Sequence, residues 1–202
     1  MQSIPLPPRN LASIPINTVQ VSPSRLYGIS RFDSGEPFFG RSASNRFDDP
    51  GRIKSRRFGT CYLGLSLEVA IAETILHDEM PVRGRFEVAV QEIEDRHCVR
   101  FRGESLTLVD LTGTALKALI GTGAISTTMP YDVPQRWSSA LHRHPVGADG
   151  IVYMSRHVNN ERAVVVFDRA KAKLAGPSYT PLAATKGSLR ALVNLRVSPR
   201  FV

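Results

Sequence analysis

Apolar and polar residues alternate with the period of a strand along "SRLYGISRF" (24–32), "RGRFEVAVQEIE" (83–94) and "LTLVDLTG" (106–113). "FGTCYLGL" (58–65) reads as a short strand, and "DGIVYMSRH" and "RAVVVFDRA" as two more, joined by the turn "VNNE". Between them the spacing turns helical. Ser66 is placed as an N-cap with Glu68 in the first turn of a helix running to about His77, whose Val69, Ala72 and Leu76 share one face. "TALKALIG" predicts a short helix, and "VPQRWSSALHRH" another after Pro134. Strands early, in the middle and late, with helices between them, predict a mixed α/β (α+β) domain rather than a repeated βαβ wind.

Two stretches break the pattern. The segment "DSGEPFFGRSASNRFDDPGR" (33–52) is a long loop rich in Gly, Pro, Ser, Asp and Asn, and ordering so long a loop costs entropy that a plain connection avoids, so it reads as functional. Arg41, Arg46, Arg52 and Arg56 lie in it or just beyond. The N-terminal residues 1–20 carry Pro5, Pro7, Pro8 and Pro15 and predict an extended arm acting as a tether. Residues 177–202 read as a basic C-terminal tail with one short strand or helical turn at most, leaving a domain over residues 21–176.

A chain of 202 residues with 42% hydrophobic and 22% charged positions fits one globular domain. The formal net charge of +8 draws polyanions, nucleotides or an acidic partner toward the surface without choosing among them. Cys61 and Cys98 have neither disulfide-framework nor zinc-ligand spacing, the start of the chain has no basic and apolar leader, and no run reaches the length of a membrane span. The expected location is the cytoplasm.

The dinucleotide fingerprint G-x-G-x-x-G, the P-loop and the G-x-S-x-G elbow are all missing, and His77, His97, His142, His144 and His157 form no recognisable metal or nucleophile pattern. What remains is a set of single residues. Glu73 stands among Leu67, Val69, Ala70, Ile71, Ala72 and Ile75, where a carboxylate must pair with a cation or serve a purpose that offsets its desolvation. Arg25 on the first strand and Arg46 in the loop are able to grip a pyrophosphate together, against the plainer reading of two solvated arginines. Tyr62 is a core aromatic by default and a stacking surface for a flat heterocycle otherwise. Ser155 in "YMSRH" is able to hold a ribose hydroxyl or orient an arginine.

The ordered combination "RLYGIS", "NRFDDPG" with "GTCYLGLSLEVAIAET", "DGIVYMSRH" and "RAVVVFDR" resembles the RES domain family over roughly Arg25 to Arg169. The resemblance places the family's two arginines on Arg25 and Arg46, its tyrosine on Tyr62, its helical glutamate on Glu73 and its serine on Ser155. Asn45 stands where a glycine is usual, and Phe47 where a tryptophan is. It implies a fold like the diphtheria-type ADP-ribosyltransferases, with a split mixed β-sheet, flanking helices and a cleft for NAD⁺, and an enzyme that needs no metal. It further implies a toxin that breaks the nicotinamide–ribose bond by hydrolysis or phosphorolysis, with protein ADP-ribosylation as the alternative, held in check by a cognate, Xre-like, DNA-binding antitoxin. In that frame Glu73 steadies the charge developing on the ribose, Arg25 and Arg46 hold phosphate, Tyr62 stacks on nicotinamide or its ribose, and Ser155 steadies the ribose or an arginine. A basic nucleic-acid-binding protein is the reading from a different class, and it leaves Glu73 without a task.

Overall fold

The computed structural model describes residues 4–201, so the first three residues of the proline arm lie outside the described part. Its centre is an eight-stranded mixed sheet in the order β1-β6-β7-β8-β3-β2-β5-β9. The strands are β1 (Thr18–Val21), β2 (Tyr27–Ser30), β3 (Thr60–Gly64), β5 (His97–Arg102), β6 (Leu106–Leu111), β7 (Gly150–Met154), β8 (Arg162–Phe167) and β9 (Ala175–Pro181). Only β6 and β7 run parallel, and every other pairing is antiparallel. Helices α3 (Gly113–Leu119) and α4 (Asp132–His142) lie in the crossover between β6 and β7, as a parallel pair requires. A second, two-stranded parallel sheet joins β4 (Phe86–Ala89) to β10 (Val197–Arg200).

The central strands are buried on both faces, which is why they read as apolar runs. On β8, Ala163, Val165 and Phe167 join one core with Val109, Leu111, Ile151, Tyr153 and the helix residues Leu116, Trp137 and Leu141. Val164 and Val166 point the other way, into a core with Leu106, Leu108, Val152, Leu63 and Phe101. That second core gathers Val21 of β1 and Val99 of β5 as well, so the sheet curls around it. A third core lies under α1 (Leu67–Thr74) and α5 (Ser188–Asn194).

Strand β2 meets β3 through the single pair Tyr27–Gly64, whereas β3 and β8 pair over five positions. The sheet is therefore almost split at that seam. Gly64 lets α1 close onto β3 there, because a Cβ at residue 64 would stand 2.6 Å from the Ala70 amide nitrogen. Ser66 caps α1 by accepting from the Val69 amide and donates to Glu161, which ties the helix start to the β7–β8 turn.

Several expectations change. The arm is no free tether: Leu11 is buried, Ile4, Ile14 and Ile16 pack on the first core, and Trp137 Nε1 donates to the Pro5 carbonyl at 2.8 Å. Residues 177–202 hold most of β9, α5 and β10 rather than a tail, with Leu182 and Ala191 buried. The run "RGRFEVAVQEIE" is strand only in its middle third, since β4 stops at Ala89 and Gln91–Glu94 form the short helix α2. Among the described residues, no helix is long and apolar enough to cross a membrane.

Candidate active site

Five segments remote in sequence converge on a cleft of about 340 Å³ beside the seam, lined by Arg46, Tyr62, Glu73, His77, Tyr131 and Arg156 among others. A larger cavity of about 630 Å³ lies between the arm and α4; its wall carries Arg9, Arg136 and Arg143 and no carboxylate.

Glu73 enters from the last turn of α1, half-buried, with its two oxygens in different surroundings. Ser155 Oγ donates to Glu73 Oε1 at 2.6 Å, while Oε2 faces His157 Nε2 at 3.9 Å. Ser155 is itself fixed just past β7: it is 1% exposed, its amide donates to the Glu161 carbonyl, and its Oγ accepts from the amides of His157 and Val158. A hydroxyl whose lone pairs are taken by two amides has its proton left for the carboxylate. Ser155 thus orients Glu73 rather than facing the cleft.

Arg46 reaches the cleft from the long loop, and that loop is rigidly held. The buried carboxylate of Asp48 is its hub: Oδ2 accepts from Ser42 Oγ, the Asn45 amide and Asn45 Nδ2, and Oδ1 from Thr60 Oγ1 at 2.6 Å and Tyr62 OH at 3.1 Å. From α4, Gln135 Nε2 donates to the carbonyls of Ala43 and Asn45, and Ser138 Oγ to that of Phe47. Phe47 is fully buried, its ring 4.8 Å from that of Tyr153. The Arg46 guanidinium lies over the Tyr131 ring at 4.7 Å and donates from Nη1 to the Thr128 carbonyl at 2.7 Å. Its Nε and Nη2 have no protein partner among the described residues. Burial draws its pKa below the ordinary value, opposed by the hydroxyls of Tyr131 and Tyr153.

Tyr62 lines the cleft from β3, with its hydroxyl accepting from the Phe47 amide and donating to Asp48. Burial first, and then the Asp48 charge, push its pKa well up, so it stays a neutral phenol. Tyr153 is raised likewise by burial and then by Glu73.

Arg25 is not in the cleft. The Ser22–Pro23 pair starts a short 3₁₀ turn that ends at Arg25, so β2 begins only at Tyr27 and Arg25 is left exposed before it. The second cleft guanidinium belongs to Arg156, which donates from Nε to His157 Nε2 at 2.9 Å and lies 3.4 Å from His77 Nε2 through Nη2. Burial lowers the His157 pKa, Arg156, His77 and Arg46 add to that, and Glu73 opposes it. Sequence reasoning passed over Arg156 and set His77 and His157 aside as patternless; the signals for them were the adjacency of Arg156 and His157 to Ser155 in "YMSRH" and the place of His77 four residues after Glu73.

Residues 25–184 match the RES domain family. A protein named probable toxin y4kH, from Sinorhizobium fredii (strain NBRC 101917 / NGR234), is 33% identical over 102 residues, covering 50% of this chain and 79% of that protein. Among solved structures, a chain of the M. tuberculosis MbcT-MbcA toxin-antitoxin complex superposes with a TM-score of 0.55, covering 87% of this chain and 92% of that one at 12% identity, a likeness of fold.

Proposed function

The chain belongs to the RES domain family, and on that premise we propose that it is the toxin of a toxin–antitoxin pair and cleaves the nicotinamide–ribose bond of NAD⁺. The observation that carries this reading is Glu73, held by Ser155 in a cleft between two guanidiniums and three tyrosine rings. Cleavage releases nicotinamide with the bonding electron pair on its ring nitrogen, which cancels the ring's charge and leaves an oxocarbenium-like ribose. The anionic Glu73 is suited to accept a hydrogen bond from the ribose hydroxyl next to C1 and to stabilise that positive charge. Arg46 and Arg156 take the diphosphate, so the role first assigned to Arg25 passes to Arg156. Tyr62 and the neighbouring rings offer flat surfaces to the nicotinamide and its ribose. Water or inorganic phosphate then closes the sugar carbon.

The partner follows from the same arginines. The fold relative is half of a toxin–antitoxin complex, and an inhibitory segment rich in carboxylates, carried by an Xre-like antitoxin, fits a cleft with Arg46 and Arg156 in its wall. Purified protein incubated with NAD⁺, with and without phosphate, is expected to release nicotinamide together with ADP-ribose or its 1-phosphate. Glu73→Gln is expected to fold normally, since Ser155 still donates to the amide oxygen, and to lose turnover by about 10²–10³-fold. Label appearing on a protein instead of free ADP-ribose would mark a transferase with the same first step. Unchanged NAD⁺ combined with steeply salt-dependent binding to nucleic acid would replace the reading with the one that the charge of +8 suggests.

A further inference from the structure

Beside Glu73 stand two imidazoles, His77 and His157, for which the proposed NAD⁺ cleavage has no task. Glu73, His77 and His157 each present a donor atom within 4.8 Å of the other two. Glu73 Oε2 is the oxygen that Ser155 leaves free. Arg156 approaches Nε2 of both imidazoles, and because a guanidinium has donors only, each Nε2 faces it with a lone pair. Asp78 Oδ1 stands 3.8 Å from His77 Nε2 at the exposed rim. Two imidazole lone pairs and a carboxylate oxygen around one point, with a fourth direction open to the cleft, are the donor set of a tetrahedral zinc site. In the structure a guanidinium takes the cation's place.

We propose that Glu73, His77 and His157 form a binding site for a divalent transition metal of the zinc class, and that the metal and Arg156 compete for it. Donors of a tetrahedral zinc site lie about 3.3 Å apart, so the three side chains close inward as the metal enters and Arg156 swings out. Glu73 lies in the last turn of α1, which ends at Thr74, and His77 in the turn that follows it, so His77 is able to move without unwinding a strand. The metal would take the charge of Glu73 and remove a diphosphate ligand at once, and would act as an inhibitor. Binding stands apart from the NAD⁺ reading; only the inhibition rests on it.

The test is titration of the full chain with Zn²⁺ by calorimetry and with Co²⁺ by visible absorption. Expected are one metal per chain, an intense tetrahedral cobalt band, and at least a ten-fold loss of affinity in His77→Ala and in His157→Ala, both checked for folding by circular dichroism. Arg156→Met is expected to bind about ten-fold more tightly, an effect that no merely structural role of Arg156 produces. Metal bound equally well by both histidine variants, or looser binding in Arg156→Met, overturns the proposal. Metal binding by a protein that leaves NAD⁺ intact would refute the function proposed above and keep this site; NAD⁺ cleavage by a protein that binds no metal would do the reverse.

Discussion

A single carboxylate, Asp48, accepts five hydrogen bonds from four residues and so holds the Arg46 loop against β3. Asp48→Asn replaces an acceptor by a donor amid donors, and is expected to cost about 2–3 kcal/mol of stability and to weaken NAD⁺ binding through the displaced Arg46 and Tyr62; thermal melts and the KM check this. Stability unchanged by the swap would mean that the loop is held elsewhere. His142 offers a second test. Burial, and then the charge of Arg169, lower its pKa to about 4, and its ring stacks on Phe58 at 4.1 Å while accepting from Arg169. Below pH 6.5 the unfolded chain binds a proton there that the folded chain refuses, so this stability is complete above pH 6.5 and is lost as pH falls toward 4. Between pH 7.5 and 4.5 the parent should lose more melting temperature than His142→Gln by roughly 2–4 °C, or about 1 kcal/mol once solvent screening of the half-buried ring is counted. Parallel losses in the two proteins would clear His142. Glu73 itself was legible from its apolar neighbours, whereas its partnership with His157 was hidden because 84 positions separate them.

Elements were legible where their surroundings agreed with local pattern. The two-sided burial of β7 and β8 writes itself as "GIVYM" and "AVVVF", and the Ser66 cap gives the start of α1. Edge elements failed that test: β1 and β9 each pair on one side only, β1 is just the four residues "TVQV" after the proline arm, and the exposed, proline-bearing "AGPSYTP" of β9 carries little apolar signal. Strand β5, "HCVRFR", shows half an alternation and was missed between two polar flanks. The displacement of Arg25 was readable in principle, since a serine followed by proline starts a turn more readily than a strand. The arm's prolines spoke truly of an extended chain but not of what it covers. Deleting residues 1–15 would expose the site of Leu11 and unpair the Trp137 ring nitrogen, and is expected to lower the unfolding free energy by about 3 kcal/mol in urea melts. A deletion that melts with the full chain would make the arm a tether after all.

At the scale of the molecule, fold class followed from ordered motifs, and with it the places of Arg46, Tyr62 and Glu73 in the cleft, while the arm, α5 and β10 closing around the domain did not, because they are held by partners remote in sequence. As a whole the chain is expected to arrest growth and drain NAD⁺ when made alone, and to do neither when its antitoxin is co-expressed; abundant, folded protein with no effect on either would end the toxin reading. The cleft is drawn from positions as far apart as Arg46 and Arg156, and this has a consequence for the moment of synthesis. A ribosome adding about 5–20 residues per second needs roughly 5–20 s to pass from one arginine to the other, and until then no pocket exists. On the toxin reading the emerging chain is inactive over that interval, which an inhibitor already present has in which to be waiting.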